Sequence, residues 1–176
     1  MGCCYEKEEA RTKVTLTFKR EELLYDIENL AHVEGDVMDE GAQHARHLTQ
    51  DVGDEGNVDA VTRVLNRAAS ECVEMLYPYT KEAVGGEEMD FDDTLREPES
   101  YVMRLAVPAG FSKTTAHVLE HLVHDYLVFR ALGYWLGIVN PEKGALWTAR
   151  AEATVGDIRR ALARRTGKVR RKLHPW

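Results

Sequence analysis

Three histidines in the stretch 117-HVLEHLVHD-125 come nearest, in residue type and spacing, to a chemical site. His117, His121 and His124 stand at i, i+4 and i+7, so on a helix they share one face. Three imidazoles on one face could bind Zn, Ni or Cu. The stretch therefore has two interpretations: the metal site of a helical-bundle enzyme, or a polar stripe on an exposed or subunit-facing surface.

The apolar pattern of the same helix favours the polar stripe. Metal sites in helical bundles point into the core and use side chains from facing helices. Here the histidines lie opposite the apolar side of the helix, which carries Val118, Leu119, Leu122, Val123 and Tyr126. His44 and His47 are the only further candidates. We therefore expect no metal, and keep His117, His121 and His124 as the alternative ligand set.

Other candidate sites have weaker patterns. Ser70 and Ser112 have no positioned base near them in the sequence. The acidic clusters 51–59 and 87–93 superficially resemble calcium loops, but neither places ligands at the EF-hand positions with a closing Glu. The sequence contains no nucleotide-binding loop or zinc-finger spacing. We expect a protein that is not an enzyme and binds no cofactor.

Charge divides the chain into an acidic and a basic part. The 176 residues carry a net charge of -7, and their composition is that of one ordinary soluble domain. Residues 1–100 have 25 acids against 10 Lys and Arg, whereas residues 101–176 have 5 acids against 13. From Arg159 onward there are eight basic residues and no acid. Such polarity suits copies that meet head to tail, or a basic end that meets an acidic partner.

The cysteine pattern favours a reducing compartment. Cys3 and Cys4 stand at the start of the chain, and Cys72 lies in a helical pattern. Adjacent cysteines seldom pair with each other, and an odd count leaves one unpaired. The sequence therefore predicts no disulfide framework.

No membrane partner is expected. The opening 1-MGCC-4 is only faintly similar to a lipid anchor, because Glu6 stands where the acylation pattern has Ser or Thr. The longest apolar run, residues 126–139, is interrupted by Arg130 and is too short to cross a bilayer.

Alternating and helical apolar patterns divide the chain into elements. Residues 12-TKVTLTF-18 alternate strictly and predict a half-buried strand, for which the apolar run 101–108 is the natural partner. Apolar steps of three and four predict helices over 20–33, 58–79, 113–139 and 142–165. Residues 34–57 and 85–100 are polar and rich in glycine or acids, so we expect two long loops there.

Local signals mark the expected ends of these helices. Gly35 should end the first helix. Asn57 is the expected N-cap of the second, which Pro78 kinks or closes. Ser112 should cap the third and longest helix.

These patterns predict a mainly α fold, a bundle of about four helices with a small two-stranded β element. Residues 1–11 are expected to form a flexible N-terminus, residues 12–165 a single helical domain, and residues 166–176 a flexible basic tail. From Leu127 the third helix is apolar all round, so we expect it to be the central element of the core. The predicted core residues are Leu65, Leu76, Leu122, Phe129, Trp135, Trp147, Ile158 and Leu162.

The basic tail is the predicted partner-binding segment. Its cations stand just before two apolar side chains that are costly to leave in water, a pattern typical of a segment that becomes ordered on a partner. The partner-binding residues are Lys168, Arg170, Arg171, Lys172, Leu173 and Trp176. The same cations can also make non-specific contacts with DNA phosphates, so a nucleic-acid-associated binding module is a further alternative.

The C-terminal half resembles the small helical virion proteins encoded in phage and prophage structural modules. The residues that carry this resemblance are the long helix 122–136, the break 140-NPE-142, the amphipathic segment 150–165 and the closing 170-RRKLHPW-176. The N-terminal segment 14–38 also fits such proteins. The long acidic loop and the lengthy N-terminal part depart from the shortest members.

In head-to-tail adaptor proteins of this kind, a helical bundle forms a ring beneath the portal, and arms or tails reach into neighbours. The resemblance implies a non-enzymatic structural or assembly protein: a head-tail connector, or a neck or tail-completion component. Its partners would be copies of itself and portal-like or tail proteins. It would be found in the cytoplasm of the bacterial host during assembly and then in the virion.

Overall fold

The computed structural model describes residues 11–38, 40–80, 94–108 and 111–163. The elements in chain order are strand β1 (Arg11–Lys19), helices α1 (Arg20–Asp36), α2 (Gln43–Gln50), α3 (Glu55–Met75) and α4 (Tyr77–Thr80), strand β2 (Ser100–Pro108), and helices α5 (Lys113–Val139) and α6 (Pro141–Ala163). The predicted mainly α fold, with four long helices and a two-stranded element, is confirmed. Arg11 begins β1 instead of belonging to the N-terminal segment.

The two strands form an antiparallel pair, as the alternation predicted. Leu16 lies opposite Met103, and Phe18 opposite Tyr101. All four side chains are buried, whereas Thr15 on β1 is exposed. The period of two therefore turns one face of the sheet toward the helices and the other toward solvent.

Helix α5 lies at the centre of the bundle and contacts α1, α2, α3, α6 and β1. Its buried residues after Tyr126 are Leu127, Val128, Ala131, Leu132, Gly133, Trp135 and Leu136. The expectation that this half is buried on all sides is wrong. Tyr134 and Ile138 are 43% and 62% exposed, because none of the described elements covers that side of the helix.

Five of the eight predicted core residues are buried: Leu65, Leu76, Trp135, Trp147 and Ile158. The other three, Leu122, Phe129 and Leu162, are half-buried and pack against the core from its rim. Their positions belong to the apolar stripes of α5 and α6, but those stripes are wider than the contact between the helices. For the same reason Val118, on the first half of α5, is 44% exposed.

The loop expected over residues 34–57 is wrong, because most of this segment is helical. Helix α1 continues through Gly35, and two short 3-10 helices (Glu40–Ala42 and Asp51–Gly53) flank α2. The contacts that hold α2 are tertiary. Thr49 and Val52 are buried, and the indole N–H of Trp135 donates to the carbonyl oxygen of Thr49 at 3.0 Å. A local pattern with few apolar residues does not reveal an anchor supplied by α5.

Two of the expected helix ends also differ. Gly35 lies inside α1, where the side chain of Gln50 packs so closely that a Cβ on residue 35 would be 2.7 Å from its Cγ. Asp54, not Asn57, is the N-cap residue of α3. Asn57 instead donates its side-chain amide to the carbonyl oxygen of Asp51 at 2.7 Å. Ser112 holds the N-cap position of α5, as expected, but its side chain makes no capping hydrogen bond.

The second expected loop, 85–100, lies only partly within the described residues. Residues 94–98 are irregular, as predicted, and β2 begins at Ser100. Residues 85–93 lie outside the described residues, as do residues 1–10 of the expected N-terminus and the whole of the tail 166–176.

Helices α5 and α6 form a hairpin around Asn140 and approach each other closely at glycines. A Cβ on Gly144 would lie 2.4 Å from the backbone nitrogen of Gly137. A Cβ on Gly133 would meet the hydroxyl oxygen of Thr148 at 2.8 Å. The absence of side chains at these positions lets the two backbones come into contact.

Replacing Gly144 by Ala should therefore lower the free energy of unfolding by about 1–3 kcal/mol, since the methyl group overlaps backbone that cannot move without shifting a helix. Gly156→Ala on the same helix is the matched control, because a Cβ there meets nothing within 4 Å. The control should gain about 0.5–1 kcal/mol of helix propensity. Chemical denaturation measures both. A Gly144→Ala protein as stable as the parent would contradict the close contact.

Candidate functional site

The three histidines of α5 do not converge on one point. The Nδ1 of His117 lies 3.3 Å from the Oε2 of Glu120, on the same helix. The Nε2 of His124 lies 3.3 Å from the Oδ2 of Asp26 on α1, and its ring centroid is 6.4 Å from that of Phe18 on β1. His121 is exposed. The stripe therefore begins at solvent and ends against β1 and α1.

Within residues 11–38, 40–80, 94–108 and 111–163, no group of three or more His, Cys, Asp and Glu side chains is placed to hold a metal ion. His44 and His47, on α2, are exposed. Ser70 is also exposed and donates to the carbonyl oxygen of Asn66 at 3.1 Å. The cluster 51–59 is folded into a 3-10 helix and the first turns of α3, and 87–93 lies outside the described residues.

A polar cluster between α3 and α5 escaped the sequence analysis. The hydroxyl of Tyr126 donates to the Oε2 of Glu71 at 2.5 Å. The Nε of Arg130 lies 3.4 Å from the same oxygen. A signal for this cluster was present, because a cation that interrupts an apolar helical run needs a partner when the helix is packed. The sequence alone does not say which acid supplies it.

The cluster is built to stay in one protonation state. Burial raises the pKa of a carboxyl group, but the hydrogen bonds from Tyr126 and Arg130, together with the Arg130 charge, outweigh it, so the pKa of Glu71 lies below its ordinary value. Burial and the nearby carboxylate raise the pKa of Tyr126. The phenol therefore keeps its proton and the carboxylate its charge. This arrangement holds α3 against α5.

Cys72 lies beside this cluster and is fully buried. Burial, with the charge of Glu71, raises the pKa of its thiol. A protonated thiol inside the core is a poor nucleophile, so Cys72 is a packing residue.

A recess of about 310 Å³ lies between α3, β2 and the segment before β2. At its base the hydroxyl of Tyr101 donates to the side-chain oxygen of Asn66 at 2.8 Å, and the amide of Asn66 donates to the carbonyl oxygen of Arg96 at 2.8 Å. Burial raises the pKa of Tyr101 to about 12. The polar groups at the base are therefore engaged with one another and fix the course of residues 94–98.

Glu34, at the end of α1, joins that helix to the start of α6. Its Oε1 accepts the indole N–H of Trp147 at 3.0 Å, and its Oε2 lies 2.8 Å from the Nζ of Lys143. The guanidinium carbon of Arg150 lies 4.2 Å from the centroid of the Trp147 ring. These contacts fix the hairpin end of α6 beside the C-terminal end of α1.

Exposed acids gather at this same end of the bundle. Trp135 places α2 against the last turns of α5, and Glu28 lies so close to Gly53 that a Cβ there would meet its carboxylate at 2.9 Å. Asp36 pairs with Arg46. Glu28, Asp54 and Glu55 are exposed, form no ion pair with a described residue, and are joined by Glu142 in the first turn of α6. This group is called the acidic end below.

The opposite end of α6 is basic. Arg159 is exposed, and Arg160 pairs with Asp157 on the same helix. The predicted partner-binding residues 168–176 follow this end in the sequence but lie outside the described residues. The 23 residues of α6 separate its two ends by about 34 Å at about 1.5 Å per residue.

None of the helices in the described part of the chain combines the length and the apolar character needed to cross a membrane. Comparison with known proteins gave no match, whether to a protein-family model, a curated protein or a solved structure.

Tyr126→Phe should lower the free energy of unfolding by about 1.5–3 kcal/mol, the usual contribution of a hydrogen bond to a charged group. The matched control is Tyr134→Phe on the same helix, where the ring is 43% exposed. That change should cost less than about 0.5 kcal/mol. Urea denaturation compares the two variants, and equal losses would show that the Tyr126 hydroxyl does not tie α5 to α3.

Glu71 should also make stability depend on pH. Its pKa is lower in the folded chain than its ordinary value of 4.5. Its contribution is therefore fully present above that value and is lost as the pH falls through the folded pKa. Urea unfolding of the parent and of Glu71→Gln, from about pH 7 to about pH 3, should show a difference in free energy that shrinks with acidification. A difference that stays constant or grows would contradict the assigned shift.

Proposed function

We propose that this chain is a non-enzymatic structural or assembly protein of a phage or prophage virion. Its place is that of a head-tail connector, or of a neck or tail-completion component, and it acts as an oligomer. The partners in this proposal are further copies of the chain and portal-like or tail proteins. It is made in the cytoplasm of the bacterial host and carried in the virion.

The observation that carries this proposal is the separation of charge along α6. The acidic end surrounds the start of α6, where Glu34 contacts Lys143. The basic residues Arg159 and Arg160 stand at the far end, and the rest of the cations follow in the tail. Acids around one end of α6 and cations at its other end, about 34 Å apart, favour contact between the basic end of one molecule and an acidic surface of the next.

The tail adds the apolar part of such a contact. Lys168, Arg170, Arg171 and Lys172 precede Leu173 and Trp176. An aromatic residue that fills a pocket, with cations pairing acids around the rim, is a common arrangement at protein interfaces. In a ring or stack of like subunits, the same tail on every copy would reach its neighbour or the adjoining portal-like protein.

Deletion of residues 168–176 tests the proposal. The melting temperature should change by less than about 2 °C, because these residues follow the last core residues and carry no apolar periodicity. Particles recovered from the host that encodes the chain should contain the parent protein, detected by mass spectrometry, and should lack the truncated one.

A charge-reversed variant, with Lys168, Arg170, Arg171 and Lys172 changed to Glu, keeps the tail length and the aromatic residue. It should be excluded from the particles as the deletion is. Particles that never contain the parent chain would refute the virion assignment. Particles that contain both altered proteins in full amount would show that the tail makes no assembly contact. If the reversed variant were included and the deletion excluded, the contact would be apolar.

A further inference from the structure

Strand β1 has an edge that none of the described elements covers. The sheet has two strands, and β1 pairs only with β2. No backbone hydrogen bond from another described element reaches residues 12–19. An uncovered strand edge is a template onto which another chain can add a strand.

The register shows which residues form this edge. The N–H of Arg20 donates to the carbonyl oxygen of Glu99 at 3.0 Å, one position beyond the pair Lys19 and Ser100. In an antiparallel ladder, hydrogen-bonded pairs alternate with non-hydrogen-bonded pairs. The even-numbered residues of β1 therefore bond to β2. The backbone N–H and C=O groups that point outward belong to Lys13, Thr15, Thr17 and Lys19, whose side chains are all exposed.

The charges of this edge argue against pairing with itself. If two β1 edges paired antiparallel about Leu16, Lys13 of one copy would lie directly opposite Lys19 of the other, and like charges in that position destabilise a sheet. The segment 11–20 contains four cations and no acid. Lys19 pairs with Glu22 and Arg20 with Glu97, whereas Lys13 forms no ion pair with a described residue. The complementary occupant is a segment that carries acids on its solvent side.

We propose that the edge of β1 accepts residues 87–93 of a second copy of this chain as a third strand. That segment reads EEMDFDD, and its sequence alternates in the sense required. In an extended strand, Met89 and Phe91 would share one face, with Glu87 and Asp93 at its two ends, and Glu88, Asp90 and Asp92 would lie on the other. With the apolar pair turned toward the bundle, the acids lie beside Lys13 and Lys19.

The histidine stripe of α5 meets the sheet at one of its members. His124 packs beside Phe18 on the inner face of β1. His121 and His117 follow one and two turns earlier on α5, and both are exposed. Through His124, the stripe therefore reaches the inner face of β1.

The positions of the segment ends favour a second copy over the same chain. The described residues stop at Thr80 and resume at Thr94. Helix α4 contacts β2, and the carbonyl oxygen of Arg96 is held by Asn66 on α3. Both attachment points are thus tied to β2 and α3, although Glu97 also pairs with Arg20 at the end of β1. A segment that stayed within the molecule would have to pass around the end of the sheet to reach the outer edge of β1.

This inference rests on the self-association contained in the proposed function, but it uses other residues. The tail deletion leaves the β1 edge intact, and changes in β1 leave the tail intact. If the changes in β1 have no effect, the tail deletion still tests the virion proposal. If the tail deletion has no effect, the changes in β1 still test the edge of the sheet. Because each copy has one β1 edge and one acidic segment, the contact swaps reciprocally in a dimer, closes a ring, or continues as an open filament.

The full chain is the protein to test, by light scattering after gel filtration over a range of concentration and salt. The parent should form dimers or larger closed oligomers that dissociate as salt rises. Lys13→Glu should weaken the association by about tenfold or more. Arg67→Glu, the same charge change on the exposed surface of α3, should leave it unaltered. Equal association in the parent and Lys13→Glu would overturn the proposal.

Proline separates the backbone contact from the charge contact. Thr15→Pro removes an outward N–H while keeping every ladder bond to β2, so it should abolish the association. Thr15→Ala, which keeps the N–H, should retain it. If Thr15→Pro fails to fold, the comparison of Lys13→Glu with the parent is enough to test the proposal. A folded Thr15→Pro protein that still associates like the parent would overturn the proposal.

A synthetic peptide of residues 86–94 tests the occupant directly. Added to the chain lacking residues 87–93, the labelled peptide should bind, as measured by fluorescence anisotropy. The same peptide with Asp90→Lys and Asp92→Lys should bind about tenfold less well or worse. No binding of the parent peptide would overturn the proposal. A further result would overturn it: a monomeric full chain whose Thr15 and Thr17 amides lose protection from hydrogen exchange when residues 87–93 are deleted. In that case the segment would bind the β1 edge of its own chain.

Discussion

Burial of α5 is the constraint on which the other elements depend. This helix contacts the sheet and every other long helix, so each polar atom on its buried surface must find a partner on a neighbour. Tyr126 and Arg130 find Glu71 on α3, His124 lies beside Asp26 on α1, and the indole of Trp135 donates to α2. Three directional contacts to three helices oppose rotation and sliding of α5 more specifically than apolar packing does.

The polar groups of the described core are fully satisfied. Among residues 11–38, 40–80, 94–108 and 111–163, no buried side-chain nitrogen or oxygen lacks a hydrogen-bond partner. In a partly buried ion pair such as that of Glu71 and Arg130, the pair stabilises the fold by less than the loss of one partner would cost, because the remaining charge would be left unpaired. The main effect of the Glu71 cluster is therefore to determine which faces of α3 and α5 meet. Its contribution to net stability is smaller. Glu34 has the same role between α1 and α6.

Sequence periodicity was sufficient to predict those elements that have one apolar side. It predicted both strands and their pairing, and it placed α5 and α6 within a few residues of their observed ends. It failed at α2, whose anchors Thr49 and Val52 are few and whose main contact comes from Trp135. Periodicity also cannot say how wide a contact is, so Val118 and Ile138 were expected to be buried and are exposed. For the candidate site, Arg130 stood out in the sequence, but Glu71 is distant along the chain and only the fold brings it there.

The junction between β1 and α1 has no connecting loop, because Lys19 ends the strand and Arg20 begins the helix. The first N–H of the helix bonds to Glu99, so the ladder continues across the junction. Tension applied along β1 would therefore pass into α1 without a compliant spacer. Because ladder hydrogen bonds lie across the strand direction, such a load shears them together and does not open them one at a time. The β1–α1 unit is thus mechanically stiff in the direction in which a molecule attached along this strand would pull.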